Sequence, residues 1–509
     1  MRTIYTDSGN FFQRVFSSHG NILPLFFLSV ASFLTALILT LTGGSIISAL
    51  LILVIATVII ITCYRIDWGF FLFVGAVLAF DQFPPRGYDT TIIGVEYFEN
   101  LKAFNLFSSI DAAVATPMEL HLFFLIFVWI LLISLGKKVY LQKVDFWFLA
   151  FLFFLWLVLA AMYGVGKGGD FLPALWELRA LFYLGILYFF VPQIIQSKEQ
   201  IYQLMWVIIA AISFKVFIGI VRVLGIGFDF GYRTELTNHE DPLFFGSLFI
   251  FLFCLILYHV KNKQKSFLLL TMVPTIVVFI FAQRRITYGA FGVANIVLMT
   301  LLPWEKKKIL LRVILPVLVV FGLYLGIFWD NAGVIGLPAQ LVKSAFSSDQ
   351  KNAGERYYSN LYREFENFNL SQTIKRSPLI GIGFGNKYDQ PLSLVDIPFS
   401  LRDYIPHNEI FWLIVKMGMV GFLLFWLFFD LLVTHAASLF TKMDDPYLKA
   451  MCATIVVAIT GQVIVSYYDL QLTYNRNMVY LGVLIGLLPT LKALSGKSPA
   501  TEQIYLGNS

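Results

Sequence analysis

The stretch Pro406-His407-Asn408-Glu409, running on as IFWLIVKMGMVGFLLFWLFFDLL to Leu432, decides how this chain folds. As a helix, its apolar part is long enough to cross a hydrocarbon layer of about 30 Å. Pro406 fixes its own backbone and biases Ile405 away from helix. A helix should therefore begin just after it, with Asn408 as N-cap and Glu409 in the first turn. His407 then sits on the rim, where an apolar interior meets water. Gly418 and Gly421 are three apart, so they share a face that should let another helix pack closely.

The rest of the chain has the same character. Its 509 residues are 58% hydrophobic, 17% aromatic and 13% charged, too apolar for a soluble surface to cover. This implies an all-α polytopic membrane protein of about 12–14 transmembrane helices. Apolar runs lie near 22–42, 45–63, 68–83, 117–136, 144–162, 173–193, 201–224, 241–259, 266–282, 286–303, 309–329, 409–433, 447–468 and 475–491. The organisation is one membrane domain: spans over 1–329, a large extracytoplasmic insertion over 330–408, C-terminal spans over 409–495 and a tail over 496–509. Within the insertion, 356–375 reads as helical and Pro378 to Gly385 as a turn-rich return in which Gly381-x-Gly-x-Gly385 punctuates the chain. The three cysteines fall in apolar segments, so no disulfide framework is expected. The apolar run after Asn21 lacks a cleavage site and reads as a first span.

Short basic loops face the cytoplasm. With Arg2 and Arg14 inside, fourteen spans put Lys137-Lys138, Lys261 to Lys265, Lys306 to Lys308, Lys442 and Lys492 to Lys497 on that side too. The net charge of +6 is thus explained by topology and implies no nucleic-acid partner. Residues 84–116, 226–240 and about 330–408 then lie outside.

That orientation makes the remaining cations informative. Lys215 and Arg222 lie within the seventh span, Arg179 within the sixth beside Glu177, and Lys416 two turns inside the His407 helix. Arg233, Arg284, Arg285 and Arg356 belong to outer turns and loops. Charges in hydrocarbon are costly, so these residues should face a wet cavity at the outer leaflet. Taken singly, each could be snorkelling or locally paired, as Arg179 with Glu177 or Arg363 with Glu366. Taken together, Arg233, Arg285 and Arg356 suggest a shared anion site, since a guanidinium fork suits phosphate oxygens. Asp444-Asp445 before Pro446 reads as a helix-start cap. His239, Glu240 and Asp241 are weak metal geometry, and Asp81 and Asp469 are minor candidates for sugar hydroxyls.

His407-Asn408, nine residues, then Gly418-x-x-Gly421 resembles the signature of the O-antigen ligase and Wzy-type polymerase superfamily. Tyr232-Arg233-Thr234 through Asp241-Pro242, the turn Gln283-Arg284-Arg285-Ile286-Thr287, and Arg356 followed by Pro378 to Gly383 resemble three further elements of that family, over about residues 170–490. Which of Arg284 and Arg285 corresponds is left open. The resemblance implies a multi-pass protein of the bacterial inner membrane with its site facing the periplasm. It implies a metal-independent, inverting, cofactor-free glycosyltransferase whose donor is an undecaprenyl-diphosphate-linked glycan. The acceptor would be a lipid A core hydroxyl for a ligase or another lipid-linked repeat unit for a polymerase. His407 would be base or acceptor-orienting residue, with Arg233, Arg285 and Arg356 on the diphosphate. A transporter or flippase for lipid-linked oligosaccharides is the alternative from another class, but it predicts internal repeats that the chain does not display.

Overall fold

The computed structural model describes residues 29, 32–37, 40, 46–83, 96–100, 114–136, 141–227, 236–331, 333–346, 356–397 and 399–496. The first expected span, most of 84–116, and the basic residues Arg2, Arg14, Lys137, Lys138 and Lys497 lie outside them. Every regular element among the described residues is helical. In chain order these are α1 (Ile46–Tyr64), α2 (Ile66–Ala79), α3 (Pro117–Ser134), α4 (Trp147–Gly166), α5 (Phe171–Ile194), α6 (Lys198–Gly225), α7 (Asp241–Leu257) and α8 (Lys263–Phe281). There follow α9 (Arg285–Leu301), α10 (Trp304–Phe328), α11 (Leu337–Phe346), α12 (Arg356–Arg376), α13 (Glu409–Lys442), α14 (Pro446–Ser466), α15 (Asn475–Gly486) and α16 (Leu488–Leu494).

Eight of these helices, and α15 with α16 counted as one span, are long and apolar enough to cross a membrane, and four shorter apolar ones accompany them among the described residues. The chain is a polytopic all-α membrane protein. The last expected span is two helices, because α15 stops at Gly486 and Pro489 opens α16. Polar caps set the other boundaries where the apolar runs alone do not. Ser197 and Gln200 form a reciprocal capping box at α6, Asn262 accepts from the Lys265 N–H at α8, and Asp445 caps α14 ahead of Pro446, as expected.

The helices fall into two compact units. In the one drawn from 1–73 and 119–141, Arg65 pairs with Asp67 at 2.6 Å and the Phe73 ring meets His121 edge-on. The other, drawn from 74–118 and 142–502, carries the remaining helices. There α14 packs against α13, α7 and α9, and α15 lies along α5, where Gly482 and Gly486 let the backbones approach to within van der Waals reach of Leu184, Leu187 and Val191.

Helix α13 is not continuous. Gly418 has φ 65° and ψ −174°, so the helix breaks where the spacing predicts a packing face; Gly421 instead abuts Met417 and the Trp156 ring. Residues 378–385 fill the break. The Met419 and Val420 amides donate to the carbonyls of Pro378 and Leu379 at 2.8 and 3.2 Å, and the Ile382 and Gly383 amides donate to Val415 and Lys416 at 2.8 and 3.1 Å. Backbone groups freed by the break are therefore re-satisfied by a second stretch of irregular chain, the condition under which non-helical backbone survives inside a membrane protein. The three glycines read as punctuation serve this exchange. Gly381, Gly383 and Gly385 all have positive φ, and a Cβ on any of them would collide with backbone of α13, α4 or Asp170.

Candidate active site

Helix α12 organises the site, as the sequence spacing predicts for a helix there. Asn360, Arg363 and Glu366 recur every three positions along it, with Asn367 four after Arg363, so together they line one broad face. Leu370, on its core side, packs with Tyr388 and Val415 and ties α12 to α13. Glu366 is buried and holds His407 twice: one carboxylate oxygen accepts from the His407 backbone N–H at 2.9 Å, and the other lies 3.2 Å from the imidazole Nδ1. The Tyr362 ring meets the imidazole edge-on at 5.5 Å. His407 keeps 23% of its side chain exposed while Glu366 keeps 2%, so the histidine is accessible and its partner is not. Asn408 caps α13 by accepting from the Phe411 N–H, and its amide donates to Asn367 on α12. Glu409 turns inward, where it accepts from the Gln471, Leu472 and Thr473 amides and from the Thr473 hydroxyl.

Cations gather along the same helix. Arg285, the first residue of α9, donates to Asn360 at 2.9 Å and to the Ser344 carbonyl at 2.9 Å. Arg363 donates to the Tyr468 carbonyl and to Ser359, not to Glu366. Arg284 and Arg363 both act on Asp469, which His239 approaches at 3.4 Å. Burial alone would raise that carboxyl, yet the hydrogen bond and charge of His239 with those two guanidinium groups hold it well below the usual carboxylate range. Burial, and then the charge of Glu366, push Tyr362 up to about 12, so it stays a neutral phenol at physiological pH and does not compete as a base. At about 1.5 Å per residue, the anchor points of Arg285 on Asn360 and of His407 on Glu366 lie roughly 9 Å apart along α12.

Other expected site residues are used elsewhere. Lys416 is fully buried, pairs with Glu177 at 2.7 Å and donates to the Asn386 carbonyl, so it faces core and not a wet cavity. Glu177 also accepts from Trp412 and Gly385; it is not the partner of Arg179, which donates to the Val114 carbonyl and stacks on Trp176. Arg222 is buried and donates to the Leu236 carbonyl at 2.5 Å. Lys215 is buried with Asp81 and Asp241. Glu240 and Asp241, expected only as weak metal ligands, turn away from His239 to bind Arg476 at 2.6 and 2.8 Å, and no group able to hold a metal occurs among the described residues. Arg233 lies outside the described residues. Arg356 is the first residue of α12, and its backbone position is all that is described.

Sequence reading missed Glu366 as a histidine partner and Arg476 altogether. The available signal for the first was the polar stripe Asn360, Arg363, Glu366 and Asn367 on an otherwise ordinary loop helix. Arg476 offered none, since it stands two residues into a short apolar helix with its partners far away in the chain.

The fold and this ionic, histidine-containing locus define a multi-pass membrane protein whose loop helix shapes a polar site at one end of its helices. Residues 270–426 match the family model described as Wzy_C, O-antigen ligase, the superfamily whose signature the spacing from His407 to Gly421 resembles. The matched stretch holds Arg284, Arg285, all of α12, His407 and the broken part of α13. No curated protein is significantly similar to the chain.

Proposed function

We propose that the chain is a membrane glycosyltransferase that moves a glycan from undecaprenyl diphosphate to an acceptor hydroxyl at the outer face of the bacterial inner membrane, with a lipid A core as acceptor. The observation that supports this reading is that one loop helix, α12, holds a part-exposed imidazole through Glu366 and the Arg285 guanidinium through Asn360, and itself carries Arg363. In the proposed step the acceptor hydroxyl gives its proton to His407 as its oxygen attacks the anomeric carbon from the face opposite the diphosphate. The carbon–oxygen bond to the diphosphate breaks, its electron pair stays on the leaving oxygen, and the anomeric configuration inverts. Arg285, Arg363 and Arg284, with Arg233 and Arg356 as further candidates, neutralise the leaving diphosphate in the way a metal does elsewhere.

Purified protein in detergent, given the lipid-linked glycan that accumulates in cells lacking the protein together with lipid A core, should form product without any membrane barrier. A protein that only moved lipids would form none. His407→Ala should lower transfer by about 10²–10⁴-fold while donor binding persists; transfer at the normal rate removes the assigned role. Long glycans building up on the carrier in cells lacking the protein agree with ligation, whereas single repeat units there would indicate polymerisation.

A further inference from the structure

We infer that Glu366 is a positioning residue that selects the tautomer of His407, leaving Nε2 as the nitrogen that takes the acceptor proton. The inference deepens the proposal above and rests on its reading of His407 as the base. A neutral imidazole carries one proton, and the ring nitrogen that bears it is set by the partner of the other nitrogen. A carboxylate only accepts. With one oxygen of Glu366 at 2.9 Å from the His407 backbone N–H and 3.3 Å from Nδ1, and the other at 3.2 Å from Nδ1, both acceptors face Nδ1, so the proton belongs there and the lone pair on Nε2. Three contacts fix the ring: the carboxylate, the backbone bond that ties the same side chain to residue 407, and the edge of Tyr362. Glu366 is itself held rigidly enough to do this, being buried on α12, whose next turn packs against α13 through Leu370.

The double grip makes the isosteric amide diagnostic. In Glu366→Gln the single remaining oxygen must still accept from the His407 backbone N–H, because the alternative sets two donors against each other. Its NH₂ group then faces Nδ1 and donates to it, which moves the imidazole proton to Nε2 and closes the nitrogen needed for chemistry. Size and burial are unchanged, so a merely structural role for Glu366 would leave the reaction close to normal.

The experiment compares full-length wild type, Glu366→Gln and His407→Ala, using undecaprenyl-diphosphate glycan extracted from cells lacking the protein and lipid A core as acceptor. For Glu366→Gln the expected result is a kcat lower by about 10²–10⁴-fold with the donor KM within about threefold. The direct readout is ¹⁵N NMR of histidine-labelled protein at pH 9, above the ordinary imidazole range, with the His407 signals assigned by their absence in His407→Ala. Wild type should show Nδ1–H and Glu366→Gln should show Nε2–H. Normal kcat in Glu366→Gln beside an inactive His407→Ala would overturn the positioning role and leave His407 as base. An active His407→Ala would instead overturn the base. Should Glu366→Gln fail to fold, the wild-type spectrum still decides, since an Nε2–H imidazole at His407 rules the inference out.

Discussion

Asp469 is where burial and charge compete most openly in this protein. It is buried in the turn between α14 and α15, and desolvation favours its neutral form, yet His239, Arg363 and Arg284 hold the carboxyl below its ordinary range. A carboxyl whose folded value lies below its unfolded value, about 3.9, stabilises the fold most fully above that unfolded value. The contribution is lost as pH falls toward the folded value. Asp469→Asn should therefore melt below wild type at pH 7, and the gap should narrow as pH drops below about 4; a gap constant between pH 7 and pH 3 would refute the assignment. At this scale the chain was partly readable. Pro406, Asn408 and Glu409 before an apolar run announce a capped helix with a histidine at its mouth, because capping is local chemistry. The partner of that histidine stands 41 residues earlier, and only the path of the chain between them brings the two together. For the same reason Arg363 could be matched on paper with Glu366, three residues away on the same helix, when the fold gives Glu366 to His407.

The break in α13 carries the element-scale lesson. Spacing alone cannot tell a small-residue contact from a backbone interruption, since glycine serves both. The sign that favoured interruption lay elsewhere, in three glycines at alternate positions, 381, 383 and 385, all of which adopt positive φ. Gly418→Ala must place a Cβ in the left-handed region and within 2.1 Å of the Leu379 carbonyl oxygen. We expect it to cost at least about 1–3 kcal/mol, seen as a lower melting temperature in detergent. Gly322→Ala, on the outward-facing α10 with nothing near its added Cβ, should be neutral or slightly stabilising. Equal losses in the two variants would mean that the interruption carries no special constraint.

Across the larger compact unit, a second set of buried charges forms its own network. Asp81, Glu240 and Asp241 surround Lys215 and Arg476, three carboxylates against two cations, contributed by α6, α7, α15 and the turn after α2. Lys215 is visible in the sequence as an isolated charge in an apolar run, but its complementarity with these carboxylates appears only when the helices assemble, so it reads as a cavity cation until its partners are placed. Arg476→Met should lower stability by about 3–5 kcal/mol, because it strands buried carboxylates. Asp81→Asn leaves two charges of each sign and should melt at or above the wild-type temperature; a loss as large as that of Arg476→Met would show that charge balance is not what the network maintains. The interlocked backbone at residues 378–385 and 415–420 has a practical consequence of its own. Because each partner completes the other's hydrogen bonding, the large loop cannot be grafted between relatives like a detachable cover. A chimaera that imports the loop with the recipient's own α13 joins two halves of a seam that were never cut to match, and only exchanges carrying both segments should express as folded protein.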